Sequence, residues 1–127
     1  MTLPTPTIDG DLCEHDTPIV REIFNRIGDK WTLLVIRMLA VGPQRFTALR
    51  SLVPGISQRM LTLTLRQLER DGVVSRTVHP ETPPRVEYAL TALGDTLVPP
   101  VAALADWALQ NEGEIRGNRE RYDDLLG

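Results

Sequence analysis

Residues 44–72 read QRFTALRSLVPGISQRMLTLTLRQLERDG, and the fold turns on the corner in their middle. Val53-Pro54-Gly55-Ile56 is a turn signal between two short amphipathic runs. Before it, Thr47 is placed to cap a short helix, Ala48 to Leu52, with Leu49 and Leu52 facing inward. After it, Ser57 caps a longer helix that reaches Asp71 and stops at Gly72. At about 100° per residue, Leu61, Leu65 and Leu68 of this longer helix fall on one narrow stripe. Arg59, Leu63, Arg66 and Arg70 fall on the opposite side, with Thr62 at the edge and Ser57 and Gln58 at the N-terminal tip.

Two extended runs follow this helix, Val73 to Val78 and Arg85 to Leu90, both rich in β-formers. The segment between them, His79-Pro80-Glu81-Thr82-Pro83-Pro84, holds three prolines and so reads as the stiff tip of a hairpin. Upstream, Thr17-Pro18 begins a helix bearing Ile19, Ile23, Phe24 and Ile27, which Gly28 ends. Asp29 caps the next helix, Lys30 to Val41, whose apolar face holds Trp31, Leu34, Val35, Met38 and Leu39 and which Gly42-Pro43 terminates. Gln44-Arg45-Phe46 fits a very short strand. Downstream, Thr91 caps a helix through Leu97, and Pro99-Pro100 is expected to break or kink the pattern. A last amphipathic helix carries Val101, Leu104, Ala105, Ala108 and Leu109, with Trp107 on its flank. Residues from Gly113 onward are polar and expected to fray. The division expected is a flexible arm at 1–16, a folded domain at 17–112 and a polar C-terminal tail at 113–127.

The fold class this predicts is mainly α with a small β-hairpin: two helices about a Pro-Gly corner with a stiff hairpin directly behind. That is the plan of a winged helix-turn-helix, whose second helix enters the major groove of DNA while the hairpin meets the flanking backbone. Arginine and glutamine pair bidentately with base edges, so Gln58, Arg59, Ser57 and Thr62 at the helix tip are the candidate readers. Arg66 and Arg70 lie further along, towards phosphate or the groove wall. Arg45 and Arg50 flank or lie in the preceding helix, Arg76 and Arg85 lie on the hairpin, and His79 lies at its base. All are candidates for phosphate. The chain of 127 residues has a net charge of −3, but the charge is segregated. Residues 21–85 hold 11 basic and 5 acidic side chains, whereas both ends are acidic. DNA responds to a local positive surface, not to the total.

Other classes find little support. The N-terminal stretch has no apolar run of a signal peptide, and no segment approaches the ~18 apolar residues of a membrane span. The single cysteine, Cys13, has no internal partner for a disulfide, which points to a reducing cytoplasm. Cys13, Glu14, His15 and Asp16 match no zinc spacing, so neither metal nor cofactor is expected. There is no phosphate loop, nucleophile elbow or catalytic triad, which argues against an enzyme. Two alternatives stay open: a winged-helix protein-interaction module that does not bind DNA, and a regulator responsive to Cys13 oxidation. The acidic neighbours of Cys13 oppose a reactive thiolate. Trp31, Met38 and Phe24 of the early helices could also adjoin a site for a small apolar effector.

Several segments together resemble the HxlR-type winged helix-turn-helix regulators of bacteria. They are Ile27-Gly28-Asp29-Lys30-Trp31-Thr32-Leu33-Leu34, Gly42-Pro43-Gln44-Arg45-Phe46, Gly55-Ile56-Ser57-Gln58-Arg59-Met60-Leu61, Leu68-Glu69-Arg70-Asp71-Gly72-Val73-Val74 and Pro83-Pro84-Arg85-Val86-Glu87-Tyr88-Ala89-Leu90-Thr91. The resemblance covers roughly residues 17–110. It implies a homodimer held by N- and C-terminal dimerisation helices, two recognition helices on a pseudo-palindromic operator, base reading by Ser57, Gln58, Arg59 and Thr62, and a wing at Pro84-Arg85. Many members carry a cysteine just before the first helix that in some senses oxidants. Thr17 stands at that place here and Cys13 lies four residues upstream, which weakens a sensing role.

Overall fold

The computed structural model describes residues 17–127. The expected arm at 1–16, with Cys13 and His15, lies outside the described residues. Helix α1 (Pro18–Ile27) starts on the Thr17 side chain, which accepts from the Val20 N–H, and has proline in its first turn. Helix α2 (Lys30–Leu39) starts on Asp29, whose carboxylate accepts from the Trp31 N–H at 2.8 Å. It ends at Ala40, ahead of the expected Gly42-Pro43 stop. Strand β1 (Gln44–Arg45) leads straight into α3 (Phe46–Leu52). Helix α4 (Gln58–Arg70) follows, then β2 (Val74–His79) and β3 (Arg85–Leu90), the short α5 (Ala92–Asp95) and the long α6 (Val98–Leu126).

The three strands form one antiparallel sheet in the order β1-β3-β2. The hairpin runs in register from Val74↔Leu90 to His79↔Arg85, and β1 adds Gln44↔Tyr88 and Arg45↔Glu87 on the far side of β3. The hydrophobic core lies where α2, α3, α4 and the base of the hairpin meet. Val35, Ile36, Leu39, Leu49, Val53, Ile56, Leu61, Leu65, Leu68, Val73 and Val74 are buried there, and Val101 adds the start of α6. Each fully buried Leu, Ile or Val contributes about 1.5–3 kcal/mol. The molecule is thus a winged helix-turn-helix, mainly helical, with the wing closed by a third, two-residue strand.

Four expectations need correction. Thr47 does not cap α3: the helix begins at Phe46, because pairing of Arg45 with Glu87 already sets the extended residue from which a helix can start. Thr47 lies within that helix, where its carbonyl accepts from the Ser51 hydroxyl. Leu52 is 46% exposed rather than inward, because Val53, next along the chain, fills that place at 0%. Pro99 and Pro100 do not break a helix but lie in the first turn of α6, where missing N–H groups leave no intrahelical bond unmade. Residues beyond Gly113 are helical: α6 continues as a single helix of 29 residues.

Two glycines are dictated by position. Gly55 has φ +85° at the corner before α4, a conformation open to glycine at no steric cost. A Cβ on Gly94 would lie 2.2 Å from the Val73 carbonyl oxygen, so α5 can pack on the base of the wing only with glycine there. Thr91 completes that junction. Its N–H donates to the Val73 carbonyl at 3.0 Å, and its hydroxyl accepts from the Gly94 N–H at 3.0 Å.

Candidate nucleic-acid interface

Helix α4 divides as its periodicity demands. Leu61, Thr64, Leu65 and Leu68 are buried against the core. Gln58, Arg59, Leu63, Arg66 and Arg70 are exposed on the other side. The N-terminus is fixed by Ser57, whose Oγ accepts from the Met60 N–H at 3.0 Å. The hydroxyl proton of Ser57 remains free to donate outward. Thr62 donates its own hydroxyl to the Gln58 carbonyl at 2.8 Å, so towards a ligand it offers lone pairs and a methyl group. Gln58, Arg59, Thr62, Leu63 and Arg66 line one shallow, open concavity. The other end of α4 is pinned by Asp71, which meets Arg26 of α1 in an ion pair.

Arginines divide into two groups. Arg45, Arg50, Arg59, Arg66 and Arg70 make no ion pair among the described residues. Those of the wing face carboxylates, closely at Arg85 and loosely at Arg76. Arg85 donates from Nε to Glu81 at 2.7 Å and from Nη1 to Glu87 at 3.2 Å. His79 Nε2 lies 2.8 Å from the other Glu87 oxygen. The hydrogen bond and charge of Arg85 hold the Glu81 carboxyl below its ordinary value, and Glu81 in turn raises Arg85. Arg76 stands 3.7 Å from Glu69 of α4. Arg85, expected to be a phosphate contact, is therefore already paired within the wing, while Arg45, without an ion pair, lies across a cleft from Glu81, Pro83 and Pro84, where its charge also helps to lower the Glu81 carboxyl.

Of the residues expected on this helix, Gln58, Arg59, Thr62 and Arg66 line one surface, and Ser57 is exposed at the helix N-terminus. Arg70 lies on the same exposed side at the far end. Arg50 closes α3, where a cation suits the helix C-terminus. Tyr88 and Glu69 escaped notice: they reach the rim of this surface through the hairpin register and the α4–wing contact, and neither type nor spacing signals that.

The HxlR-like helix-turn-helix family model matches residues 26–115. The chain belongs to that family. This HxlR-like regulator is 51% identical over 96 residues to an uncharacterized HTH-type transcriptional regulator, YdeP of Bacillus subtilis, covering 76% of this chain and 75% of that protein. Among solved structures it is similar to the transcriptional regulator ytfH from Salmonella typhimurium, with 40% identity, a TM-score of 0.74 and coverage of 80% of this chain and 90% of that one. It is also similar to the reduced form of the redox regulator HypR, with 41% identity, a TM-score of 0.72 and coverage of 77% and 97%. The protein is a helix-turn-helix transcription regulator. No described helix is long and apolar enough to cross a membrane, and no three described His, Cys, Asp or Glu residues are grouped to hold a metal ion.

Proposed function

We propose that this HxlR-like regulator binds an operator in the cytoplasm as a homodimer, with α4 of each protomer in the major groove of a pseudo-palindromic site. The observation that carries the reading is the exposed face of α4, where Arg59, Arg66 and Arg70 stand without carboxylate partners along a helix whose tip is capped by Ser57. Gln58 and Arg59 read base edges, and Arg66, Arg70, Arg45 and Arg50 hold phosphate.

Exposed apolar side chains support pairing of two protomers. Ile19 and Phe24 of α1 are 67% and 59% exposed, and Leu104, Trp107 and Leu109 of α6 are 50%, 55% and 68% exposed. An apolar groove between α2 and α6 is lined by Leu33, Leu34, Val101, Ala108 and the same Leu104. Exposed apolar surface of this kind is commonly covered by a partner. The same groove suits a small apolar effector.

The test is selection of bound fragments from the source genome, followed by titration of wild type and Arg59→Ala on the selected duplex. Wild-type affinity should fall steeply with salt. Arg59→Ala should lose about 1–3 kcal/mol of discrimination between selected and scrambled sites. No binding at low salt would favour the protein-interaction module instead. The likeness to HypR favours one second reading, in which oxidation of Cys13 lowers DNA affinity. If Cys13→Ser responds to oxidant as wild type does, that reading fails.

A further inference from the structure

A second concavity, of about 260 Å³, lies between α4 and the wing and is more enclosed than the one on the outer face of α4. Its lining is Thr62, Leu65, Arg66 and Glu69 from α4 with Arg76 and Tyr88 from the hairpin. The sheet register explains why these meet. Val74 and Leu90 face each other on the rung at the buried base of the wing. Two residues along, on the same face of the sheet, Arg76 faces Tyr88. This rung lies where the core-facing side of the hairpin emerges from beneath α4, so Arg76 comes out beside Arg66 while Tyr88 packs on the edge of the core and lines the same cleft. Leu65, buried at 1%, provides an apolar floor.

The polar groups here are poorly satisfied. Arg66 has no ion-pair partner and the Tyr88 hydroxyl no hydrogen-bond partner among the described residues. Arg76 meets Glu69 only at 3.7 Å, with both side chains more than 40% exposed. Two guanidinium groups and a phenol O–H against one carboxylate leave a surplus of positive charge and of donors. That is the composition of a seat for a tetrahedral oxyanion.

We propose that this cleft binds a phosphate group, held by Arg66, Arg76 and the Tyr88 hydroxyl, with Glu69 as an internal competitor for Arg76. The assignment rests on the DNA reading for its natural source. The major and minor grooves are separated by a sugar–phosphate strand. A helix in one groove and a wing reaching for the other must therefore have that strand between them, and this cleft is the gap between helix and wing. The phosphate held there sets how far α4 can advance and thus which bases Gln58 and Arg59 meet.

The test uses the full chain and a 25-base-pair mixed-sequence duplex, since phosphate contacts are independent of sequence. Arg76→Gln should weaken binding several-fold and reduce the slope of log affinity against log salt by about one. Tyr88→Phe should weaken it by a smaller factor with the slope unchanged. Glu69→Gln should bind more tightly than wild type. Thermal melts establish that the variants stay folded. In a second arm without DNA, inorganic phosphate is titrated at constant ionic strength into wild type and Tyr88→Phe and followed by backbone amide NMR of α4 and the hairpin. Saturable binding lost in Tyr88→Phe, with the duplex slope unaltered by Arg76→Gln, would keep the seat but assign it to a free anion. If wild type does not bind duplex at all, the DNA reading fails and the phosphate titration alone decides the seat. Unchanged duplex binding in all three variants, with no saturable phosphate binding, overturns the proposal.

Discussion

The recognition helix and the wing both carry arginines, yet the two regions hold them in opposite electrostatic states. On α4 the guanidinium groups of Arg59, Arg66 and Arg70 face solvent without carboxylates. In the wing Arg85 is chelated by Glu81 and Glu87, and Arg76 leans on Glu69. The difference follows from what anchors each region. Helix α4 is fixed by four buried side chains and a cap, so its outer face needs no internal ion pairs. The wing has few buried residues beyond Val73 and Val74, and its outer half is tied together by His79, Glu81, Arg85 and Glu87. Charge that holds a hairpin in shape is less available to DNA. Counting arginines in a sequence therefore overstates what Arg85 can offer DNA.

The sharpest way to break the contrast is to remove the burial that frees α4. Leu65→Ala is expected to lose about 2–5 kcal/mol in urea unfolding, as a leucine buried at 1% leaves a cavity under the helix. Gly94→Ala acts on the base of the wing instead. Its Cβ would meet the Val73 carbonyl, and overpacking of this kind costs about 1–3 kcal/mol. Amide exchange should speed up in β2 and β3 more than in α4; a uniform rise would show that wing and helix are not separately anchored. Ser57→Ala removes the cap on the Met60 N–H and is expected to cost about 1 kcal/mol in the same unfolding assay.

The smallest effect is in the wing's ion pairs. Glu81 titrates below its ordinary value of 4.5 in the folded protein, because Arg85 stabilises the carboxylate. Its contribution to stability is complete above that ordinary value and disappears as pH falls through the lowered one. The stability of wild type minus that of Glu81→Gln should accordingly be small and constant at neutral pH and vanish in acid. A difference that grew on acidification would mean that Arg85 is not the partner of Glu81. Glu81→Gln should also bind duplex DNA slightly more tightly at neutral pH, as half of the clasp on Arg85 is released.

Features set within a few residues were legible in the sequence. Thr17, Asp29, Ser57 and Thr91 act as caps where their spacing placed them, and the corner at Gly55 and the stripe of Leu61, Leu65 and Leu68 follow from local chemistry alone. Features set by pairing across the chain were not. The start of α3 depends on Arg45 meeting Glu87, more than 40 residues away in sequence. The engagement of Arg85 depends on the bend that brings Glu81 back to it, and the place of Tyr88 depends on its register with Arg76. Pro99-Pro100 misled for a further reason: proline forbids a helix interior but favours a helix start, and residue type alone does not say which applies.

Helix α6 rises about 1.5 Å per residue, so its 29 residues span roughly 43 Å. Val101, in its first turn, is the one side chain of this helix that is buried. A rod fastened at one end loosens from the other. In a single protomer, opening should become progressively cheaper from Val101 towards Leu126, so solvent deuterium enters the last turns first. Slow exchange throughout the outer half would mark those turns as clasped by another surface.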